Sequence, residues 1–264
     1  MLAALPQIQR DRVLSRCEPV ALRQDTILSQ PGDRQRHIYF PMDCFVSLLA
    51  MADDDEALAV SLVGSEGVLG VSPALGRNRS PLRARVEGSG NALRMTVADF
   101  NDSLMQTPEL DCLLQQYIHS QLAQMSQTAA CAVSHQVSVR LACWLLMAHD
   151  RAHADRFYLT HDRLARLLGV RRSGVSTAAG VLQRQKLIRY TRGHIVILDR
   201  KGLEQASCGC YAAARAAFEA EAVVEVIDDA PTPAGKRRVR GVPRVNAPAP
   251  VRPLRPAVPG ATTH

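Results

Sequence analysis

The side chains best placed to do chemistry lie in residues 159–198, which read LTHDRLARLLGVRRSGVSTAAGVLQRQKLIRYTRGHIVIL. Arg172, Ser173, Ser176 and Thr177 fall on one face at helical spacing, and Gly180 continues that face. An arginine bonds two acceptors of guanine at once, hydroxyls read several bases, and a threonine methyl can touch thymine. Arg171, Arg189, Tyr190 and Arg192, with Thr160, are the groups expected on the phosphate backbone. This is the chemistry of reading a nucleic acid. No nucleophile–base set, metal-ligand spacing or phosphate loop stands out, so an enzyme is not expected.

Two short helices must hold those side chains. Thr160 is suited to cap the first, because its hydroxyl can accept from an orphan N–H two or three residues on. Leu164, Leu167 and Leu168 give that helix one apolar face, and Gly169 ends it, as glycine takes a left-handed turn without steric cost. The second helix spans about residues 172–185, with Val175, Ala179 and Leu182 facing inward. Ala165 is small where the helices cross, as a helix-turn-helix requires. Leu187-Ile188 and Ile195-Val196-Ile197 then pair around Arg192-Gly193 as a wing, and the N-terminal end of the second helix faces the major groove.

This segment resembles the C-terminal domain of the CRP/FNR family of bacterial transcription regulators. The matching residues are Leu159-Thr160, Leu164-Ala165, Leu168 to Arg172, Val175-Ser176, Gly180, Leu182-Gln183, Leu187-Ile188, Tyr190 and Arg192-Gly193. The resemblance covers about residues 2–215 and is looser in the N-terminal half. It implies a homodimer on double-stranded DNA, with RNA polymerase as a further partner if the protein activates transcription. A ligand-binding signalling module whose helix-turn-helix contacts protein is the alternative.

Charge follows the same division. The chain has 264 residues and a net charge of +7. Residues 159–205 carry ten Lys/Arg against three Asp/Glu, and residues 228–264 carry seven against two, so the remainder is acidic. Positive charge therefore sits where DNA is expected and in the tail. A surface that contacts protein has no need of such a concentration. The start of the chain lacks a basic segment followed by an apolar run, and no stretch is long and apolar enough to span a membrane. A cytoplasmic protein with reduced thiols is the expectation.

Residues 1–20 suggest a short helix. From residue 19 to about 99, β-prone runs alternate with turn residues: 26–28, 37–41, 44–49, 58–63 and 92–96. Many short strands at this spacing suggest a small β-barrel or jelly roll. The acidic run 53–56 reads as a solvated hairpin tip. By resemblance this is the family's cyclic-nucleotide-binding-like sensor domain, carried by Gly32-Asp33, Tyr39-Phe40-Pro41, Val46-Ser47-Leu48, Gly64, Glu66-Gly67 and Gly70. Nucleotide-binding members resemble one another in a Gly-Glu pair for the ribose and a later Arg-Ser/Thr pair for the phosphate. Here Val71 follows Gly70, so the carboxylate is missing, and Arg79-Ser80 is followed by Pro81 at a shorter spacing. Arg79 and Ser80 are the weak ligand candidates, and cyclic nucleotide is not an expected cofactor.

Thr107-Pro108-Glu109 starts a long helix to about residue 133: a cap, then proline in the first turn, then acid near the positive end of the dipole. Leu114, Ile118, Leu122, Met125, Ala129 and Ala132 form its apolar stripe, broken by Gln121 and Thr128. The stripe reads either as a helix buried against the barrel or as a two-chain seam. The resemblance favours the seam, as does the two-fold symmetry that paired half-sites demand. Another helix over 134–152 carries Trp144, expected to pack between the long helix and the DNA-binding domain.

Asp199 to Glu204 looks like the start of a last short helix. Cys208-Gly209-Cys210-Tyr211 resembles the end of the same regulator subgroup, and no second ligand pair stands near it in sequence, so no metal is expected. The iron–sulfur members resemble one another in an N-terminal cysteine cluster. Only Cys17 lies in the first forty residues here, so no iron–sulfur cluster is expected. Residues 228–264 hold eight of the fifteen prolines and should be disordered, with the basic run 236–240 adding salt-sensitive attraction to DNA. The expected class is α+β: sensor barrel 1–106, dimerisation helix 107–134, winged helix-turn-helix 135–208, C-terminal helix 209–227 and disordered tail 228–264.

Overall fold

A computed structural model describes residues 1–52, 57–152 and 154–219. The acidic run 53–56 and the tail from residue 220 lie outside the described residues. The chain opens with a 3-10 turn at Leu2–Ala4 and helix α1 (Gln7–Leu14). Seven strands follow: β1 (Glu18–Leu22), β2 (Ile27–Ser29), β3 (His37–Pro41), β4 (Phe45–Met51), β5 (Ala57–Val63), β6 (Arg83–Gly88) and β7 (Gly90–Thr96). They form two antiparallel sheets, β1-β7-β3 and β2-β6-β4-β5, in a jelly-roll-like arrangement rather than a closed barrel.

The helices are α2 (Val97–Gln106), α3 (Pro108–Ser134), α4 (Val137–Ala152), α5 (His161–Leu168), α6 (Arg172–Arg184), α7 (Arg200–Ala206) and α8 (Gly209–Glu219). Strands β8 (Arg156–Tyr158), β9 (Ile188–Thr191) and β10 (His194–Ile197) make a three-stranded wing in the order β8-β10-β9. The 27-residue α3 begins at Pro108, where a missing N–H costs nothing. Thr107 does not cap it as expected: its hydroxyl is buried without a partner, and its carbonyl takes the N–H groups of Leu110 and Asp111 instead.

Strand β4 is apolar almost throughout because both of its faces are covered. Val46 faces the jelly-roll core with Ile38, Val63, Val86 and Phe100. Phe45 and Leu49, with Ala59 and Leu62 of β5, join a second core built from α4, α5 and α6. Trp144 lies in this second core, 3 % exposed, as its position in the sequence suggests. One continuous apolar cluster thus ties the sensor sheet to the helix-turn-helix.

A buried ion pair fixes the register of that contact. Arg163, on α5, donates from Nε to Glu87 (2.6 Å), from Nη2 to the Val86 carbonyl (3.0 Å) and from Nη1 to Asp25. Glu87 is 1 % exposed and also accepts from Ser47 and from Arg85. Removing one partner of such a pair strands a buried charge, at about 3–5 kcal/mol. Glu87→Ala is therefore expected to lower urea-unfolding stability by that order. Asp25, whose side chain is 70 % exposed, should cost about 1 kcal/mol or less when changed to Ala. Equal losses from the two would show that Glu87 does not anchor Arg163.

Candidate nucleic-acid interface

The Thr160 hydroxyl caps α5, accepting from the Arg163 N–H at 3.2 Å. The cap uses the oxygen as an acceptor, which leaves the hydroxyl hydrogen available to donate to a phosphate. Gly169 ends α5 in the left-handed region (φ 61°), and the Val170 N–H bonds back to the Ala165 carbonyl. Arg140 of α4 donates to the Leu168 carbonyl, filling another orphan acceptor at the same helix end. A Cβ at position 169 would meet Leu58 Cδ1 at 3.2 Å, so the turn also sits directly on β5.

α6 divides cleanly. Val175, Ala178, Ala179 and Leu182 are buried, while Arg172, Ser173, Ser176 and Thr177 are all exposed on the other side. The four residues chosen from sequence as base readers therefore share one open face. Arg172 has an exposed counterion, Asp162, at 3.5 Å, which is weakly held in water and can yield to a base or phosphate. Arg171 is the exposed N-cap residue of α6, and Arg189 and Arg192 are exposed on the wing. The wing turn places Arg192 at φ 49° and Gly193 at φ 85°, two successive left-handed residues as in a two-residue hairpin of primed type. That conformation presents the Arg192 side chain at the tip.

Sequence reasoning passed over His161. Its ring stacks on Tyr190 of the wing, 4.1 Å between centroids at 18°, and its Nδ1 lies 2.9 Å from the Ser176 hydroxyl. Ser176 in turn donates to the Arg172 carbonyl at 3.1 Å. A consistent proton assignment has His161 Nδ1–H donating to Ser176, whose own hydrogen goes to the helix. Wing, first helix and recognition face are thus joined by one imidazole, on which the Tyr190 ring stacks. The only sequence signal was an aromatic-capable residue beside the Thr160 cap.

The dimer candidates on α3 separate into two groups. Leu114 is buried in the jelly-roll core beside Leu110 and Tyr117, so it belongs to the chain's interior and not to a seam. Leu122 is 60 % exposed, Ala129 is exposed, and Ile118, Met125 and Ala132 are half-buried. The first half of the stripe is core and the second half is an open apolar face.

A cavity of about 370 Å³ lies between the sheets and α3. Leu28, Tyr39, Leu48, Val71, Ile118 and Met125 are among its walls, and none of its described lining residues is charged. Ser80 is on its edge, with its hydroxyl given to the Leu82 carbonyl. Arg79 does not line it and instead donates to the Gly32 carbonyl. The two weak ligand candidates are not brought together over this cavity.

Among the described residues no helix is long and apolar enough to cross a membrane. Residues 139–206 match the model of the Crp-like helix-turn-helix domain. Transcriptional regulator SdrP of Thermus thermophilus is 28% identical over 181 residues, covering 66% of this chain and 85% of that protein. The global nitrogen regulator of Synechocystis sp. is 24% identical over 185 residues, covering 66% and 82%. Among solved structures, a CRP/FNR-family regulator of Thermus thermophilus superposes with a TM-score of 0.59 at 26% identity, over 72% of this chain and 97% of that one. The c-di-GMP-responsive global regulator CLP of Xanthomonas campestris shares the fold, with a TM-score of 0.61 at 18% identity over 73% and 99%.

The fold makes His161 stabilise itself as the neutral ring. Burial first, and the nearby Arg172 second, lower its pKa from the ordinary 6.5. Its contribution to stability is therefore present above about pH 6.5 and is lost as pH falls from there through the lowered folded-state value. Urea unfolding followed from pH 8 to pH 5 is expected to show this acid loss in the wild type and a smaller one in His161→Gln. Superimposable profiles would remove the ring from this role.

Proposed function

We propose that this chain is a transcription regulator of the CRP/FNR type that acts as a homodimer whose two winged helices read an inverted repeat. The observation that carries the reading is the open face of α6. Its four small or basic polar side chains stand opposite a fully buried apolar face, with arginines on the adjoining wing. Arg172, Ser173, Ser176 and Thr177 contact bases, while Arg171, Arg189 and Arg192 hold phosphates. The exposed face of α3 at Leu122, Met125 and Ala129 supports pairing, since two half-sites a DNA turn apart call for a two-fold partner. The uncharged cavity beside that face suits an apolar effector better than a phosphate ester. The expected workplace is the cytoplasm, where the DNA is, and no catalytic step is assigned.

The direct test is selection of bound sites from random duplex DNA with purified protein and no ligand. An enriched inverted repeat is the expected result. Enrichment only after a cell-extract fraction is added would mark the cavity as a gate. No enrichment in either case would favour a protein-contacting helix-turn-helix.

Two substitutions divide the roles on the selected site. Arg172→Ala should lose about 1–3 kcal/mol of discrimination at one base pair, read from affinities for specific and random duplexes. Arg192→Ala should weaken both duplexes alike and reduce the slope of log affinity against log salt by about one. Equal losses of Arg172→Ala on both duplexes would remove it from the readers.

A further inference from the structure

The sequence shows Cys208-Gly209-Cys210 with no ligand pair nearby, yet the fold supplies one. Cys131 and His135 stand one helical turn apart at the end of α3, and the junction of α7 with α8 brings Cys208 and Cys210 onto them. The four ligand atoms all lie within 4.8 Å of one another. Cys131 Sγ is 3.6 Å from Cys208 Sγ, and Cys210 Sγ is 3.7 Å from His135 Nδ1. In a tetrahedral zinc site with zinc–sulfur bonds of about 2.3 Å, the sulfur–sulfur edge is roughly 3.7–3.8 Å. His135 has already left the helix, with extended φ and ψ of −122° and 147°, which turns its ring toward the incoming segment. Cys131 is buried and Cys208 and Cys210 are half-buried, so the cluster has a protected floor and an open entry side.

We propose that Cys131, His135, Cys208 and Cys210 form a zinc site that fastens the α7–α8 junction to the end of the long helix. Three cysteines and one histidine make a four-coordinate set with no position left for water, the pattern of a structural site rather than a catalytic one. Loading replaces three thiol hydrogens by one Zn²⁺, releasing three protons to solvent and leaving the site with one net negative charge. No redox partner is needed. Soft sulfur ligands with one imidazole favour zinc over magnesium or calcium, which take oxygen. A fifth thiol, Cys143 Sγ, is 3.3 Å from Cys208 Sγ but lies on α4 outside the four-atom cluster. It is buried and serves as packing beside the site. The clamp falls where α3 gives way to α4, the bend between the open apolar face and the DNA-binding domain.

The test uses the full chain, purified anaerobically with reductant, equilibrated with zinc and freed of excess metal. About one zinc per chain is expected by elemental analysis. Replacement by Co²⁺ should give thiolate-to-cobalt charge transfer and the intense visible bands of a tetrahedral ion. Cys208→Ser with Cys210→Ser, and separately His135→Ala, should reduce retained zinc by about tenfold, while Cys143→Ser and the exposed Cys112→Ser should retain it. Should a ligand variant fail to fold by circular dichroism, the wild type still decides. Alkylation of Cys208 and Cys210 should be about tenfold slower with zinc than after chelation. Wild-type protein that holds no zinc and gives no cobalt–thiolate band would overturn the site. So would zinc retained by the folded ligand variants, alkylation unaffected by zinc, or a Cys208 disulfide as the stable form of the freshly purified chain. None of these readouts involves DNA, so they stand apart from the test of sequence reading.

Discussion

The position of the recognition surface depends on where one guanidinium is buried. Arg163 can leave water only where every strong donor finds an acceptor, and Glu87, the Val86 carbonyl and Asp25 supply them from the sensor sheet. The apolar contact between β4, β5 and helices α4 to α6 provides the area, but such contact is non-directional. The ion pair is directional. It sets α5 at one place on the sheet, α5 fixes the Gly169 turn against Leu58, and the turn fixes α6. Ser47 and Arg85 hold Glu87 in turn, so the acceptor has anchors of its own besides Arg163.

The helix-turn-helix was the most legible part of the sequence because each of its signals is local. The Thr160 cap, the left-handed Gly169 and the buried Val175, Ala179 and Leu182 all stand where spacing put them. The sensor domain was read as a class, but β6 was missed although it alternates, because only Ala84 and Val86 are apolar and three of its six residues are charged. Those arginines are not surface residues of a loop. Arg83 reaches Gln30, 53 residues back, and Arg85 pairs with Glu87 two residues on along the same strand. Helix α2 was likewise unread, though Thr96 caps it with a bond from the Asp99 N–H. The long-range groups were least legible: His161 against Tyr190, and Cys131 against Cys208, 77 residues apart.

The error at Leu114 has a physical cause. A heptad stripe records that a helix has an apolar face and does not record what covers it. Early in α3 the cover is the chain's own sheet, where Leu110, Leu114 and Tyr117 are buried. About two turns on, Leu122 stands in the open while Gln124, on another side of the helix, still meets β5. Gln121 and Gln124 mark the change: both are buried and paired, Gln121 with Tyr117 and Gln124 with Ser61 and the Leu62 N–H. Gln124 fastens the helix to β5, whereas Gln121 and Thr128, the polar residues that broke the predicted seam, bond within α3 itself.

That division makes α3 the element shared by the cavity, the proposed seam and the proposed metal clamp. Ile118, Leu122 and Met125 wall the cavity; Ile118 also packs on the jelly-roll core, while Leu122 and Met125 lie on the part of the stripe outside it. Cys131 and His135 end the helix at the bend into α4. In the proposed dimer a ligand in the cavity would therefore touch the seam directly, without a relay of intervening residues. To change DNA binding it must favour one arrangement of that seam over another, because binding both equally shifts nothing. A rigid clamp at the far end of α3 would pass a rotation of the helix to the DNA-binding domain, where a loose bend would absorb it. The buried Arg163 pair opposes any such rotation, since it ties the same domain back to the sheet of its own chain. In the proposed dimer two sets of contacts would thus compete for the recognition helices, one running along α3 and one through β6, and their balance would decide whether the two α6 faces stand at the spacing of a DNA site.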